Sequence, residues 1–335
     1  MKNGLAYFRH HLKNSLRTLL YIAVTSLLFS LIIGLNAQPQ YRYTEHGREV
    51  YDYLSTLYLP VIVLCVLCYV VPILQLAPFK KRNNLDCYYA LPLSRKAFAT
   101  VRYSVGMALV YITFSLCYLQ NFILLLIRGS EFFYFAPMIA HYFICLLIGF
   151  ILYSFFSFVF QEANSTVDGI IFIGLYTFVF SAAATRLNHF FDRVPLFENF
   201  YNGFPWGVID HVTTAYQLLT ERSSKIVDLW SDRGLIAWLI LWTVVGVSSA
   251  VGFFLSFGKR RTEKTGEISD SWFGYRVLIP LLALCFNLEV LSRILALILA
   301  FVGYTVYRRG FRYRISDFAV LGVLLLCVFA SLFNS

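Results

Sequence analysis

Runs of about 20 mostly apolar residues return along the whole chain, and they limit its fold more tightly than any other feature. Residues 58–76, for instance, read YLPVIVLCVLCYVVPILQL without a single charge. A helix that crosses a hydrocarbon layer of about 30 Å needs roughly that length, whereas a soluble core interrupts its apolar segments sooner. Charged residues make up only 14% of the 335, well below the quarter or so usual in soluble domains. The expected fold is therefore all-α, a polytopic integral membrane protein. Spans are expected at 19–35, 57–78, 103–127, 135–160, 168–186 and 234–257, then a short hairpin at 277–307 and a last span at 317–333.

The first 18 residues prepare the first span. Leu5, Phe8, Leu12 and Leu16 recur at helical spacing opposite Lys2, Arg9, Lys13 and Arg17, which describes an interfacial helix on the inner leaflet. No small-residue cleavage pattern follows the first apolar run, so that span is expected to remain in place. With a cytoplasmic N-terminus, 19 of the 28 Lys and Arg residues fall on the inner side. Five of the other nine lie in one long loop, 186–233, a length at which the rule weakens. The chain is thus expected to be a multi-pass protein of the cell (cytoplasmic) membrane, with membrane lipid around it and Ser335 outside. Arg276 and the cluster Arg308 to Arg314 both read as inside, so 277–307 needs an even number of crossings in 31 residues. A tight or partly re-entrant hairpin fits, with Glu289 and Arg293 spaced to pair at its turn.

Several chemistries are set aside by what the chain lacks. A formal net charge of +10 would suggest nucleic acid in a soluble protein, but here the basic residues crowd beside the spans and read as topology. Cysteines 65, 68, 117, 145, 285 and 327 sit in apolar runs, where a thiol acts as a small hydrophobe and no metal site is expected. No phosphate-binding glycine loop, His-Glu-x-x-His or Gly-x-Ser-x-Gly pattern is present, and no catalytic residue is expected. Gln75, Gln120, Asn121 and His141 are the main polar groups within the spans, each read as an interhelical hydrogen bond.

The segment 79–102, FKKRNNLDCYYALPLSRKAFATVR, stands out between the second and third spans. Asn84 can cap a short helix, Leu85, Tyr88 and Tyr89 give it an apolar face, and Pro92 stops it. An apolar knob rimmed by Lys and Arg suits a groove in a cytoplasmic partner. The plainer alternative is an ordinary basic inner loop.

Leu91-Pro92-Leu93-Ser94-Arg95-Lys96 resembles the LP(I/V/L)SR(K/R) element before the third span in membrane subunits of ABC-2 type ABC transporters. Lys259 to Glu267, KRRTEKTGE, is similar to the KR(K/R)SExxGE element after the sixth span in a Gram-positive exporter branch of that family, and Arg308 to Arg312 to its later KSFR element. The resemblance implies an elbow helix at 1–18 and a six-helix permease core at 19–257. It further implies a coupling loop at 79–102, an extracellular loop at 187–233, a cytoplasmic loop at 258–276 and additional C-terminal helices in 277–335. It implies that Leu85, Tyr88, Tyr89, Leu91, Pro92, Ser94 and Arg95 touch a separate ABC ATPase subunit. Glu162, in the connection 161–166, marks a second place for that partner. ATP and Mg would then sit on the ATPase, with no cofactor on this chain, and a second permease subunit, identical or homologous, would complete the assembly.

The implied function is export of an amphipathic substrate, such as an antimicrobial or other peptide or a lipid-like compound. Phe190, Phe191, Phe197, Phe200, Tyr201, Phe204 and Trp206 crowd the long outer loop, as either an interfacial belt or an exit gate. Two other classes remain open. A non-transporting immunity or sensor protein would bind a peptide through that aromatic loop. An ion-coupled carrier would carry charges or broken helices in two matching halves, and Pro60 and Pro72 in the second span have no later counterpart.

Overall fold

The computed structural model describes residues 2–37, 40–43, 49–52, 58–81, 94–128, 135–191, 233–259, 265–269, 271–285, 290–311 and 313–333. Among them are nine α-helices and one two-stranded hairpin. The helices are α1 (Lys2–Asn36), α2 (Tyr58–Leu76), α3 (Arg95–Arg128), α4 (Phe135–Glu162) and α5 (Thr166–Phe191), followed by α6 (Arg233–Lys259), α7 (Tyr275–Cys285), α8 (Val290–Arg308) and α9 (Ile315–Phe333). β1 (Gln40–Tyr43) and β2 (Glu49–Asp52) pair antiparallel, Gln40 opposite Asp52 and Tyr43 opposite Glu49. The hairpin was not expected from the sequence. The helices follow the apolar runs, and α7 and α8 occupy most of the stretch 277–307, whose expected turn at 286–289 lies outside the described residues.

Among the described residues five helices are long and apolar enough to cross a bilayer, over Tyr7–Asn36, Tyr58–Lys80, Arg95–Arg128, Met138–Glu162 and Leu239–Gly258. Shorter apolar stretches lie at Thr166–Phe180, Ile294–Arg308 and Ile315–Leu326. The basic lead and the first span, expected as two pieces meeting near residue 18, form one unbroken 35-residue helix. At 1.5 Å per residue α1 is about 50 Å long, more than a bilayer's apolar thickness, so its first turns extend past it.

α2 and α4 occupy the centre, each 67% buried over its most apolar stretch, against 17% for α1 and 22% for α6. α4 packs on α2, α5 and α6, and α1 lies along α3. Leu64, Phe114, Phe160, Phe172 and Phe253 are wholly enclosed in the main core. A smaller core, with Ile279, Ala296, Ala300, Tyr304 and Leu324, joins α7, α8 and α9, and α7 leans on α5. Large side chains on the outer faces, Tyr21, Leu28 and Ile32 of α1 among them, are exposed and suit contact with lipid. Lipid tails are as apolar as leucine, so association of such helices rests on close packing and interhelical hydrogen bonds. Gly246 illustrates the first: a Cβ there would lie 3.0 Å from the Cα of Ile151, so α6 approaches the backbone of α4.

Candidate functional site

At the ends of α2, α4 and α6 and the starts of α1, α3, α5 and α7, polar and aromatic side chains gather into one layer. The described ends of the segment 79–102, residues 79–81 and 94–102, belong to it. A 3-10 turn, Ala77–Lys80, ends the second span, and Ser94 starts the third. The Oγ of Ser94 accepts a hydrogen bond from the Ala97 N–H at 3.2 Å, and its carbonyl accepts one from the Phe98 N–H at 3.0 Å, the geometry of an N-cap. Ser94, Arg95 and Lys96 are exposed on this rim. The remaining coupling residues expected here, Leu85, Tyr88, Tyr89, Leu91 and Pro92, lie outside the described residues.

What the structure does define is how the two ends of that segment are held. Phe79 and Phe98 meet edge to face with centroids 4.8 Å apart, and Phe257 of α6 lies 6.2 Å from Phe98. Tyr7 of α1 stacks on Phe98 at 5.2 Å. The Arg102 guanidinium sits 4.9 Å from the Phe79 ring centre and 5.5 Å from that of Phe98, while its Nε donates to the Tyr7 hydroxyl at 3.2 Å. Cation–π contacts of this kind contribute about 0.5–2 kcal/mol, the upper end when desolvated, and Arg102 is buried. His11 adds a further tie from α1, its Nε2 lying 2.9 Å from Oε1 of the buried Gln75.

Lys80, counted from the sequence merely as an inner charge, is buried, with its Nζ donating to the carbonyls of Gln161 (3.0 Å) and Ala163. Carbonyls at a helix C-terminus lack intrahelical partners and carry partial negative charge, so an ammonium there satisfies both. The turn it caps, between α4 and α5, is also covered from the far end of the sequence. Ser269 Oγ donates to the Glu162 carbonyl at 2.9 Å, Ser271 Oγ donates to the Glu162 carboxylate, and the Gly266 N–H donates to the Asn164 carbonyl at 3.1 Å. Glu162, expected as a contact for a partner, is thus engaged by its own chain. Ser165 caps α5 by accepting from the Asp168 N–H at 3.0 Å, and Asp168 Oδ1 accepts from the Tyr275 hydroxyl at 2.7 Å. The spacing Ser165-x-x-Asp168 ahead of an apolar run was the legible trace of this cap.

The polar residues expected to bridge helices do so. Gln75 meets His11, Gln120 Nε2 donates to the Leu27 carbonyl at 3.2 Å, and Asn121 Nδ2 donates to Ser30 Oγ at 2.6 Å. The Tyr118 hydroxyl lies 3.0 Å from His141 Nδ1. Cys65, Cys68, Cys117 and Cys145 are free and buried, and no metal-binding cluster occurs among the described residues. Of the aromatic outer-loop set, Phe190 and Phe191 fall in the last turn of α5, while Phe197, Phe200, Tyr201, Phe204 and Trp206 lie outside the described residues.

No family model matches the chain, and no curated protein or solved structure is significantly similar to it. The class that fold and composition define is a helical, multi-pass membrane protein with a polar layer at one end of its bundle.

Proposed function

We propose that this chain is the membrane-spanning permease subunit of an ABC-2 type transporter, an exporter of amphipathic substrates driven by a separate ATPase. The observation that carries the reading is the clamp at the base of the segment 79–102. Phe79 and Phe98 are in contact, and Arg102, Tyr7 and Phe257 lock the pair to α1 and α6. A force applied to the residues between the two ends would therefore reach α1, α2, α3 and α6 together, which is what transmission of nucleotide-driven closure requires. The basic rim at Lys81, Arg95 and Lys96 faces away from the apolar bundle and suits an acidic cleft in a partner. The Leu91 to Lys96 element supplies the likeness to the family. The cell membrane, a cytoplasmic N-terminus, a six-helix core extended by α7 to α9 and a second permease subunit complete the proposal.

The experiment is a Tyr88→Ala, Arg95→Ala double substitution in the protein purified from native membranes. Unchanged insertion with loss of a co-purifying ATPase, or with ATP hydrolysis no longer linked to transport, is the expected result. Retention of both the complex and transport would remove the coupling role from this segment.

A further inference from the structure

A cavity of about 510 Å³ opens between α5, α7 and α8, its polar end in the layer that holds the Tyr275–Asp168 contact. Its volume falls in the range of small-molecule sites, and its walls are apolar except at one end. There Asp168 lines it, with only 8% of its surface exposed. Among the described residues the carboxylate accepts one hydrogen bond, from Tyr275, and has no cationic partner. A carboxylate so enclosed is costly unless a positive charge joins it, and its place in the first turn of α5 supplies only a partial one. Two aromatic rings, Tyr275 and Tyr307, stand at the same end with centroids 5.8 Å apart. Arg308 stacks on Tyr307 at 4.7 Å, but its charge is matched by Asp317 at 2.9 Å. Ring faces beside a carboxylate favour alkylammonium groups, which are bulky, weakly hydrated and cationic. Among its apolar lining residues, Ile171 of α5 and Leu299 and Val306 of α8 are exposed, so the cavity opens between these two helices.

We infer that this cavity binds a cationic amphiphile, its ammonium head against Asp168, Tyr275 and Tyr307 and its alkyl chain leaving between Ile171 and Val306. The inference does not depend on the ATPase reading, since the site is built within one chain. It is tested by equilibrium binding of radiolabelled tetradecyltrimethylammonium to the full chain in phosphatidylglycerol nanodiscs. Asp168→Asn keeps an oxygen for Tyr275 and is expected to weaken binding at least tenfold. Tetradecyl sulfate is expected not to compete. Ile171→Trp, which leaves every polar contact intact and narrows the opening, is expected to weaken binding to a similar degree and serves if the Asn variant does not fold. Equal affinity in either folded variant, or equal competition by the sulfate, would overturn the inference. So would loss of the probe's binding in phosphatidylcholine nanodiscs, which would assign the cavity to a bilayer lipid headgroup.

Discussion

Lys80 lies 81 positions before Gln161, yet its ammonium donates to that residue's carbonyl at 3.0 Å and ties the end of α2 to the end of α4. The same Nζ also reaches the Ala163 carbonyl and rests 5.3 Å from the Phe160 ring centre. Lys80→Met keeps the apolar stem but strips the donors, leaving carbonyls at a buried helix end without them. Charge-assisted hydrogen bonds contribute roughly 1.5–3 kcal/mol each. We expect a loss of about 2 kcal/mol or more, read as a lower Tm of the detergent-purified protein, with Lys81→Met as the exposed control near wild type.

At Gly246 the backbone of α6 comes up against the backbone of α4. An added Cβ would lie 3.0 Å from both the Cα and the Cγ1 of Ile151, and a helix backbone cannot step aside as a flexible side-chain end can. Gly246→Ala is therefore expected to destabilise by about 1–3 kcal/mol despite its better helix propensity. Gly322, whose Cβ would meet nothing within 4 Å, is the matched control, and Gly322→Ala should be neutral or slightly stabilising. Thermal unfolding of the two variants side by side checks the sign.

The contrast between what the sequence disclosed and what it did not follows from distance along the chain. Apolar runs are local, so α2, α4 and α6 could be placed within a few residues. The join at residue 18 was misjudged because charge pattern changes there while helix propensity does not: no proline or glycine stands between Lys13 and Leu31 to end the helix. The hairpin from Gln40 to Asp52 is two four-residue strands, too short to separate from a loop by composition. The polar layer is built from pairs such as Ser269 with Glu162 and Tyr275 with Asp168, each 107 positions apart, and no local spacing encodes them.

Arg309 closes α8 in the left-handed region, with φ of 54°, where side chains other than glycine are strained. Its N–H donates to the Val306 carbonyl at 3.2 Å and the Gly310 N–H to that of Thr305 at 3.0 Å, the paired bonds of a Schellman end. Arg309→Gly relieves the Cβ strain while keeping both bonds. A stabilisation of about 0.5–1 kcal/mol is expected, visible as slower hydrogen exchange across the end of α8. Arg309→Val, β-branched at the same φ, should move exchange the other way.

Arg308 and Asp317 make a bidentate contact, Nε to Oδ2 at 2.9 Å and Nη2 to Oδ1 at 3.1 Å, that closes α8 onto α9. Asp317 is 2% exposed, so Arg308→Ala strands a buried carboxylate, and breaking such a pair costs about 3–5 kcal/mol. Replacing both, Arg308→Met with Asp317→Leu, removes the stranded charge along with the attraction and is expected to recover most of that loss. The Asp317 carboxylate also accepts from the Arg314 N–H at 3.0 Å as a cap of α9, so recovery should stop about 1 kcal/mol short of wild type. A double-mutant cycle on Tm, with limited proteolysis between residues 308 and 317, checks both parts. If the single and double variants unfold alike, the pair does not hold the last two helices together.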